Sequence, residues 1–306
     1  MKLSVVVSAY NEEKNIGECL KSVERLADEI IVVDNDSNDN TGKIAKKFTE
    51  KVFSQKNNPQ KIDLQKNFGF DKATGDWILT LDADERITPE LAKEIKIKIE
   101  NSHVSGYWIP RKNIIFGKWI KSEMWWPDYQ LKLFKKGKGG FDKNQVHKAL
   151  RVEGNTDKLE NFLIHNNYVS VSQYIQKLNN YTDIESQNLF SQGYKFSWAD
   201  SIRFPVDDFL KTFFLQKGYR EGLHGLVLSV LQAFYMEMVF LKLWEKEGFR
   251  EDEAVSLREM KKEFKKTKNK ITYWFLTSSI RDVKNPVKKL ILRAARKITS
   301  RNLKNP

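Results

Sequence analysis

An α/β fold, built on a mostly parallel sheet with helices on both faces and extended by a helical C-terminal region, is what this sequence predicts. Three observations predict it. Strand and helix patterns alternate through the first hundred residues. The strands are continuous apolar runs, such as Val5-Val6-Val7 and Ile30-Ile31-Val32-Val33, which suits a sheet covered on both faces. Polar clusters follow three of those strands, at the carboxyl ends where such sheets hold ligands.

Taken in order, Leu3–Ser8 reads as a valine-rich strand and Glu12–Leu26 as a helix, with Ile16, Leu20 and Val23 at helical spacing. Glu29–Asp34 is a second strand, Asn40–Phe48 a short helix, Lys51–Ser54 a third strand and Ile62–Ala73 a helix broken at Thr74-Gly75-Asp76. Trp77–Leu81 is the fourth strand. Pro89–Glu100 is a helix with Thr88 as its N-cap and Pro89 at its first position. After residue 105 the pattern changes to short strands, Gly106–Arg111, Gln130–Lys135, Val146-His147 and Phe162–His165, around the aromatic segment Trp119–Tyr129. From Ser172 onward the chain reads as helical. We place the first domain at residues 1–195 and the helical region at 196–306.

The chain has 306 residues, enough for a sizeable core, with 40% apolar and 30% charged residues. Its one cysteine, Cys19, excludes an internal disulfide and points to a reducing compartment. The start, MKLSVVVSAY, reads as a strand and not as a signal peptide. Net charge is +13, of which about +10 falls in residues 251–306, so the basic character belongs to the tail. Residues 222–236 are uncharged but only fifteen long, short of the roughly twenty a bilayer span needs. An amphipathic or buried helix fits them better. In the tail, Val287, Leu290, Ile291, Ala294 and Ile298 form an apolar stripe opposite Lys288, Lys289, Arg293, Arg296 and Lys297. That is the pattern of a helix lying on an anionic membrane surface. Nucleic acid is not expected as a partner, because the aromatics lie in 107–129 and the charge in the tail.

The three polar clusters are Ala9-Tyr10-Asn11-Glu12, Asp34-Asn35-Asp36-Ser37 and Asp82-Ala83-Asp84-Glu85. The third puts three carboxylates at the end of an apolar strand, which requires a positive charge close by. Hard oxygen donors suit Mg²⁺ or Mn²⁺, which complete their shell with water and substrate phosphates. Asp34 and Asp36 could accept hydrogen bonds from a base or ribose, or cap the following helix.

The segments VVVSAYNEEKNIGECLKSV, IIVVDNDSNDNT and GDWILTLDADE resemble three successive motifs of family-2 glycosyltransferases, the inverting type with the Rossmann-like GT-A fold. The resemblance implies transfer of a sugar from a nucleotide-sugar donor, most commonly a UDP-sugar, to an acceptor hydroxyl by a metal-assisted single displacement. Ala9, Tyr10, Glu12, Asp34 and Asp36 would line the nucleotide pocket, with Asp82 near the ribose or donor sugar and Asp84 on a divalent metal. Lys66 joins the nucleotide set because QKNFG, residues 65–69, also resembles a segment of the family. The stretch from Trp125 to Leu150 is similar to a subgroup of lipopolysaccharide-core glucosyltransferases of the WaaE type, in which Val-His-Glu stands where this chain has Val146-His147-Lys148. His147 is a second candidate metal ligand. Lys148 is unsuited to act as base, so Asp128, beside an aromatic wall that would raise its pKa, takes that role, with Glu123 as runner-up. His103, His165 and His224 read as structural. The implied acceptor is a lipid-linked or cell-envelope glycan, polyprenyl-linked among them, reached by a cytoplasmic enzyme peripheral on the inner face of the membrane. The alternative is a catalytically degenerate, membrane-associated scaffold.

Overall fold

The computed structural model describes residues 1–58, 62–100, 102–142, 150–250 and 255–304. They form two compact units, 1–120 with 125–169, and 121–124 with 170–306. The division at 169/170 falls ahead of the boundary placed at 195 from sequence, because the helix after it belongs with the helical unit.

The first unit runs β1 (Leu3–Ala9), α1 (Ile16–Val23), β2 (Glu29–Asp34), α2 (Thr41–Ala45), β3 (Val52–Ser54), α3 (Ile62–Lys72), β4 (Trp77–Asp82), β5 (Glu85–Ile87) and α4 (Pro89–Glu100). It continues with β6 (Gly106–Ile115), β7 (Lys118–Trp119), β8 (Asp128–Lys135), β9 (Gly139–Gly140), β10 (Arg151–Val152), β11 (Thr156–Lys158) and β12 (Leu163–Tyr168). The main sheet has ten strands in the order β3-β2-β1-β4-β8-β6-β12-β5, with β7 and β11 added along β6. Strands β3, β2, β1 and β4 are parallel, and the antiparallel β8 next to β4 makes the rest of the sheet mixed. Thr88 accepts a hydrogen bond from Leu91 N at 3.2 Å, capping α4 as its sequence indicates.

Alternation along β1 explains the covered sheet. Val5 and Val7 pack with α1 and α4 on one face, while Val6 clusters with Phe70 of α3 and Ala73 just after it on the other. Both faces are therefore dry, and only the strand ends reach water. The parallel register aligns those ends, Ala9 opposite Asp34 and Ser8 opposite Asp82. The three polar clusters thus lie at one edge of one sheet.

The second unit contains α5 (Val171–Ser191), α6 (Asp200–Leu210), a π-helical turn (Lys211–Leu215), a 3₁₀ turn (Gly218–Glu221), α7 (Leu223–Lys246), α8 (Leu257–Asp282) and α9 (Pro286–Lys304). Helix α7 packs on α5 and α6, and its start crosses the 3₁₀ turn so closely that a Cβ at Gly225 would stand 1.8 Å from the Gly218 carbonyl oxygen. The apolar run does not stop at residue 236. Helix α7 has 24 residues and is long and apolar enough to cross a membrane by length and composition, with 28% of its most apolar window buried.

Candidate active site

The loops after β1 and β2 are built as one piece. Asn11 N donates to Ser37 Oγ at 2.9 Å, and Asn38 N to Asn11 Oδ1 at 2.8 Å. Glu12 N donates to Thr41 Oγ1 at 2.7 Å, and Glu13 N to Asp39 Oδ2 at 3.0 Å. Asn11 and Asp36 both adopt the left-handed conformation that Asn and Asp tolerate best, at φ 54° and 63°. Ala9 is buried, Tyr10 and Asp36 are exposed, and Asp34 is half-buried. The Asp34 carboxylate accepts from Ser37 N at 3.0 Å and lies so close to α2 that a Cβ on Gly42 would stand 2.6 Å from it. Asn35 was overlooked among its polar neighbours. It is buried, donates to Ala9 O and Ser8 Oγ, and accepts from Gln55 and Gln65, tying together the ends of β1, β2 and β3 and the start of α3.

At the end of β4 the positive charge that the carboxylates require comes first from the protein itself. Lys66 Nζ lies 2.7 Å from Asp82 Oδ1, and Lys132 Nζ lies 3.0 Å from Asp82 Oδ2 and 2.5 Å from Glu85 Oε2. Arg111 stands 3.8 Å from Glu85 and 2.6 Å from Asp128 Oδ2. Burial alone would push the Asp82 carboxyl up, but Lys132 and Lys66 hold it well below the usual carboxylate range. Burial likewise opposes charge on Lys66, and Asp82 more than restores it. Lys66, Asp82, Arg111 and Lys132 line a cavity of about 260 Å³ together with Thr80, Gln130 and the rings of Trp108 and Phe141. Lys132 and Arg111 gave no sequence signal, since a cation within a short strand does not show which carboxylate it will meet.

Asp128 is corrected in one respect. Its carboxyl was expected above the ordinary range; burial does push it up, but the Arg111 guanidinium, Asn113 and Gln130 outweigh that and lower it. Arg111 pairs with Asp128 across β6 and β8, so the strand register itself delivers the cation. The aromatic wall packs on itself instead: Trp126 meets Trp119 and Phe162 edge-on at 5.3 and 5.9 Å, Trp119 and Phe162 lie tilted at 6.2 Å, and Lys112 stands over Trp119 at 4.6 Å. Glu123 belongs to the helical unit, where Lys217 engages its exposed carboxylate and lowers its pKa. His147 and Lys148 lie in 143–149, outside the described residues.

His165, read as structural, is buried on β12 opposite Glu85 of β5, and its Nε2 is 3.5 Å from Asp84 Oδ2. Its Nδ1 is 2.7 Å from Asn113 Oδ1. The Asn113 amide is fixed by two acceptors, Trp125 O at 3.0 Å and Asp128 Oδ2 at 3.1 Å, so its nitrogen faces them and its oxygen faces the imidazole. His165 Nδ1 is then the donor, and Nε2 faces the Asp84 carboxylate. A carboxylate oxygen and an imidazole nitrogen at this spacing can both reach one divalent cation. An oxygen and an imidazole nitrogen fit Mn²⁺ better than Mg²⁺. Among the described residues no three His, Cys, Asp or Glu side chains converge. An ion that also takes substrate phosphates and water is commonly held by one or two protein ligands.

The class of enzyme to which this fold and loop-lined edge belong comes from comparison with known proteins. Residues 4–155 match Glycosyl transferase family 2. An uncharacterized glycosyltransferase of Rickettsia typhi is 30% identical over 80% of this chain and 87% of its own length. A lipopolysaccharide core biosynthesis glycosyltransferase of Rhizobium meliloti, LpsC, is 25% identical over 82% of this chain and 94% of its own. The crystal structure of Staphylococcus aureus TarS 1–349 in complex with UDP covers 83% of this chain and 94% of that one, at 18% identity and a TM-score of 0.44. The chain belongs to glycosyl transferase family 2, and its sheet unit with the helical region is a GT-A fold with a C-terminal extension.

Proposed function

We propose that the protein transfers a sugar from a UDP-sugar to a hydroxyl of a lipid-linked or lipopolysaccharide-type glycan, with inversion, in a single metal-assisted displacement. The observation that carries this reading is the Asp84–His165 pair, a carboxylate oxygen and an imidazole nitrogen 3.5 Å apart that together suit a divalent cation, at the same sheet edge as the loops after β1 and β2. Those loops, through Ala9, Tyr10, Glu12, Asp34 and Asp36, take the base and ribose, and Lys66 and Asp82 the part of the donor beside them. A divalent cation, when bound, offsets the charge that develops on the departing diphosphate. Asp128 accepts the acceptor's proton at Oδ1, which receives one hydrogen bond, from Gln130 at 2.7 Å, while Arg111 and Asn113 hold Oδ2. Its lowered pKa keeps it ionised at neutral pH, the state a base needs. One relative, named for lipopolysaccharide core biosynthesis, supports the acceptor class.

A surface supports delivery at a membrane. Helix α9 packs on α8 through a face that includes half-buried Lys289, Ala295, Thr299 and Ser300, while Val287, Leu290, Ile291 and Ile298 are 61–68% exposed. The apolar stripe is turned away from the protein and flanked by Lys288, Arg293 and Lys297, which complements an anionic bilayer. The enzyme then works from the cytoplasmic side.

The test is calorimetric titration of UDP, GDP and dTDP with Mn²⁺ and with chelator, repeated on Asp84→Ala and His165→Ala. Mn²⁺-dependent binding of UDP, lost in both variants, is expected. Binding of no nucleotide overturns the reading.

A further inference from the structure

The first half of α8, residues 257–270, carries seven cations and two carboxylates. A basic run is ordinarily a solvated face, and two observations set this one apart. First, both carboxylates are engaged inside the protein. Glu263 is buried, and each of its oxygens takes a 2.8 Å hydrogen bond from Arg203 of α6. Glu259 closes a capping box with Ser256, whose hydroxyl donates to it at 2.6 Å. The ion pairs of the run use Lys266, with Glu263, and Lys270, with Asp207. Lys261, Lys265 and Lys268 are exposed and make none among the described residues. Second, large apolar side chains stand in water among those lysines. Leu257 is 83% exposed and Phe264 57%. Leu257, Lys261, Phe264, Lys265 and Lys268 follow the spacing i, i+4, i+7, i+8 and i+11, so they share one helix face.

We propose that this face of α8 is a second lipid-contacting surface, with Leu257 and Phe264 set at the acyl boundary and Lys261, Lys265 and Lys268 on lipid phosphates. The inference rests on the membrane reading of α9. A nucleic acid would answer the lysines and leave Leu257 and Phe264 in water, whereas an anionic bilayer answers both. Helix α9, which packs on α8, has no carboxylate of its own to oppose such a surface. Each lysine near an anionic leaflet contributes about fivefold in affinity, and salt screens that part. The apolar side chains act by burial, which salt does not screen. With α9 on the surface, the second contact forms at high effective concentration, so the two helices hold the protein more tightly than either alone.

The test is co-sedimentation of the full chain with mixed phosphatidylglycerol–phosphatidylcholine vesicles and with phosphatidylcholine vesicles. The variant Lys261→Gln, Lys265→Gln, Lys268→Gln should bind the mixed vesicles about a hundredfold more weakly at low salt. That difference should shrink at about 1 M salt, where the screening length falls to about 3 Å. Phe264→Ser should lose about tenfold at both salts. All four positions are exposed on a helix, and an unchanged circular dichroism spectrum checks that the variants fold. Leu290→Ser with Ile291→Ser, run alongside, reports on α9. A triple variant within threefold of wild type, beside an α9 variant that loses binding, overturns the inference and leaves the membrane reading of α9 standing. Equal wild-type binding to both vesicle types, or a triple-variant loss seen only with duplex DNA, also overturns it. A wild type that ignores the mixed vesicles overturns the membrane reading and the inference together.

Discussion

The sheet unit buries its charges, whereas the helical unit exposes its apolar side chains. In the first, Glu85 is 0% exposed and Lys132 6%, yet each has an opposite charge in contact. In the second, the most apolar helix leaves Leu223, Val230 and Phe234 at 43–73% exposure, and α9 turns its stripe outward. The difference teaches how to tell chemistry from adhesion. Buried ion pairs are weak devices for stability, because desolvation offsets most of the attraction, so a chain of them at a strand edge points to a site. Exposed apolar rows add nothing to a core, so a row ringed by lysines points to a surface that something else covers.

Four experiments can break or sharpen that contrast. The largest effect falls on turnover: Asp128→Asn should lower kcat by about 10² to 10⁴ with folding unchanged, in a transfer assay on lipid-linked acceptor. A loss of less than threefold would take the base role from Asp128. Next, Lys132→Met leaves Asp82 and Glu85 without their shared cation and should cost about 3–5 kcal/mol in denaturant unfolding; an unchanged midpoint would mean that water replaces the lysine and that the charges are not truly buried.

The third concerns acid. Burial pushes the Glu29 carboxyl up, but Lys51, Ser4 and Thr74 bring it down from 4.5 to about 2. A folded-state pKa below the unfolded one gives stability that is present above about pH 4.5 and lost as pH falls toward 2. Glu29→Gln should remove about 2–3 kcal/mol at pH 7 and flatten the acid limb between those values. An acid limb as steep as that of the wild type would count against it. The smallest effect on folding is expected in the tail. Leu290→Ser with Ile291→Ser should change stability by less than about 0.5 kcal/mol while lowering binding to anionic liposomes about tenfold. A core-sized loss of stability would mean the stripe is packed, and the contrast between the units would fail.

Much of the sheet unit was legible because its signals are local. Apolar runs marked β1, β2 and β4, the Thr88-Pro89 pair marked α4, and the polar clusters marked the strand ends. What stayed hidden was made by strands far apart in the chain. The nearness of His165 to Asp84 was hidden because it depends on β12 lying antiparallel to β5, a pairing that no local pattern announces. The Asp128 carboxyl was placed too high because its neighbour across β6 and β8, Arg111, is 17 residues away in sequence. Short β5 was missed because three residues carry no periodicity.

The sequence by itself determined the order of elements, the family, and the edge of the sheet where polar groups collect. These follow from hydrophobic period and turn chemistry, which act over a few residues. Only the tertiary structure decided which cation answers each carboxylate, which histidine faces Asp84, and which side of α9 is left bare. Those depend on strand register and helix packing, where a shift of one residue sends every side chain to the opposite face.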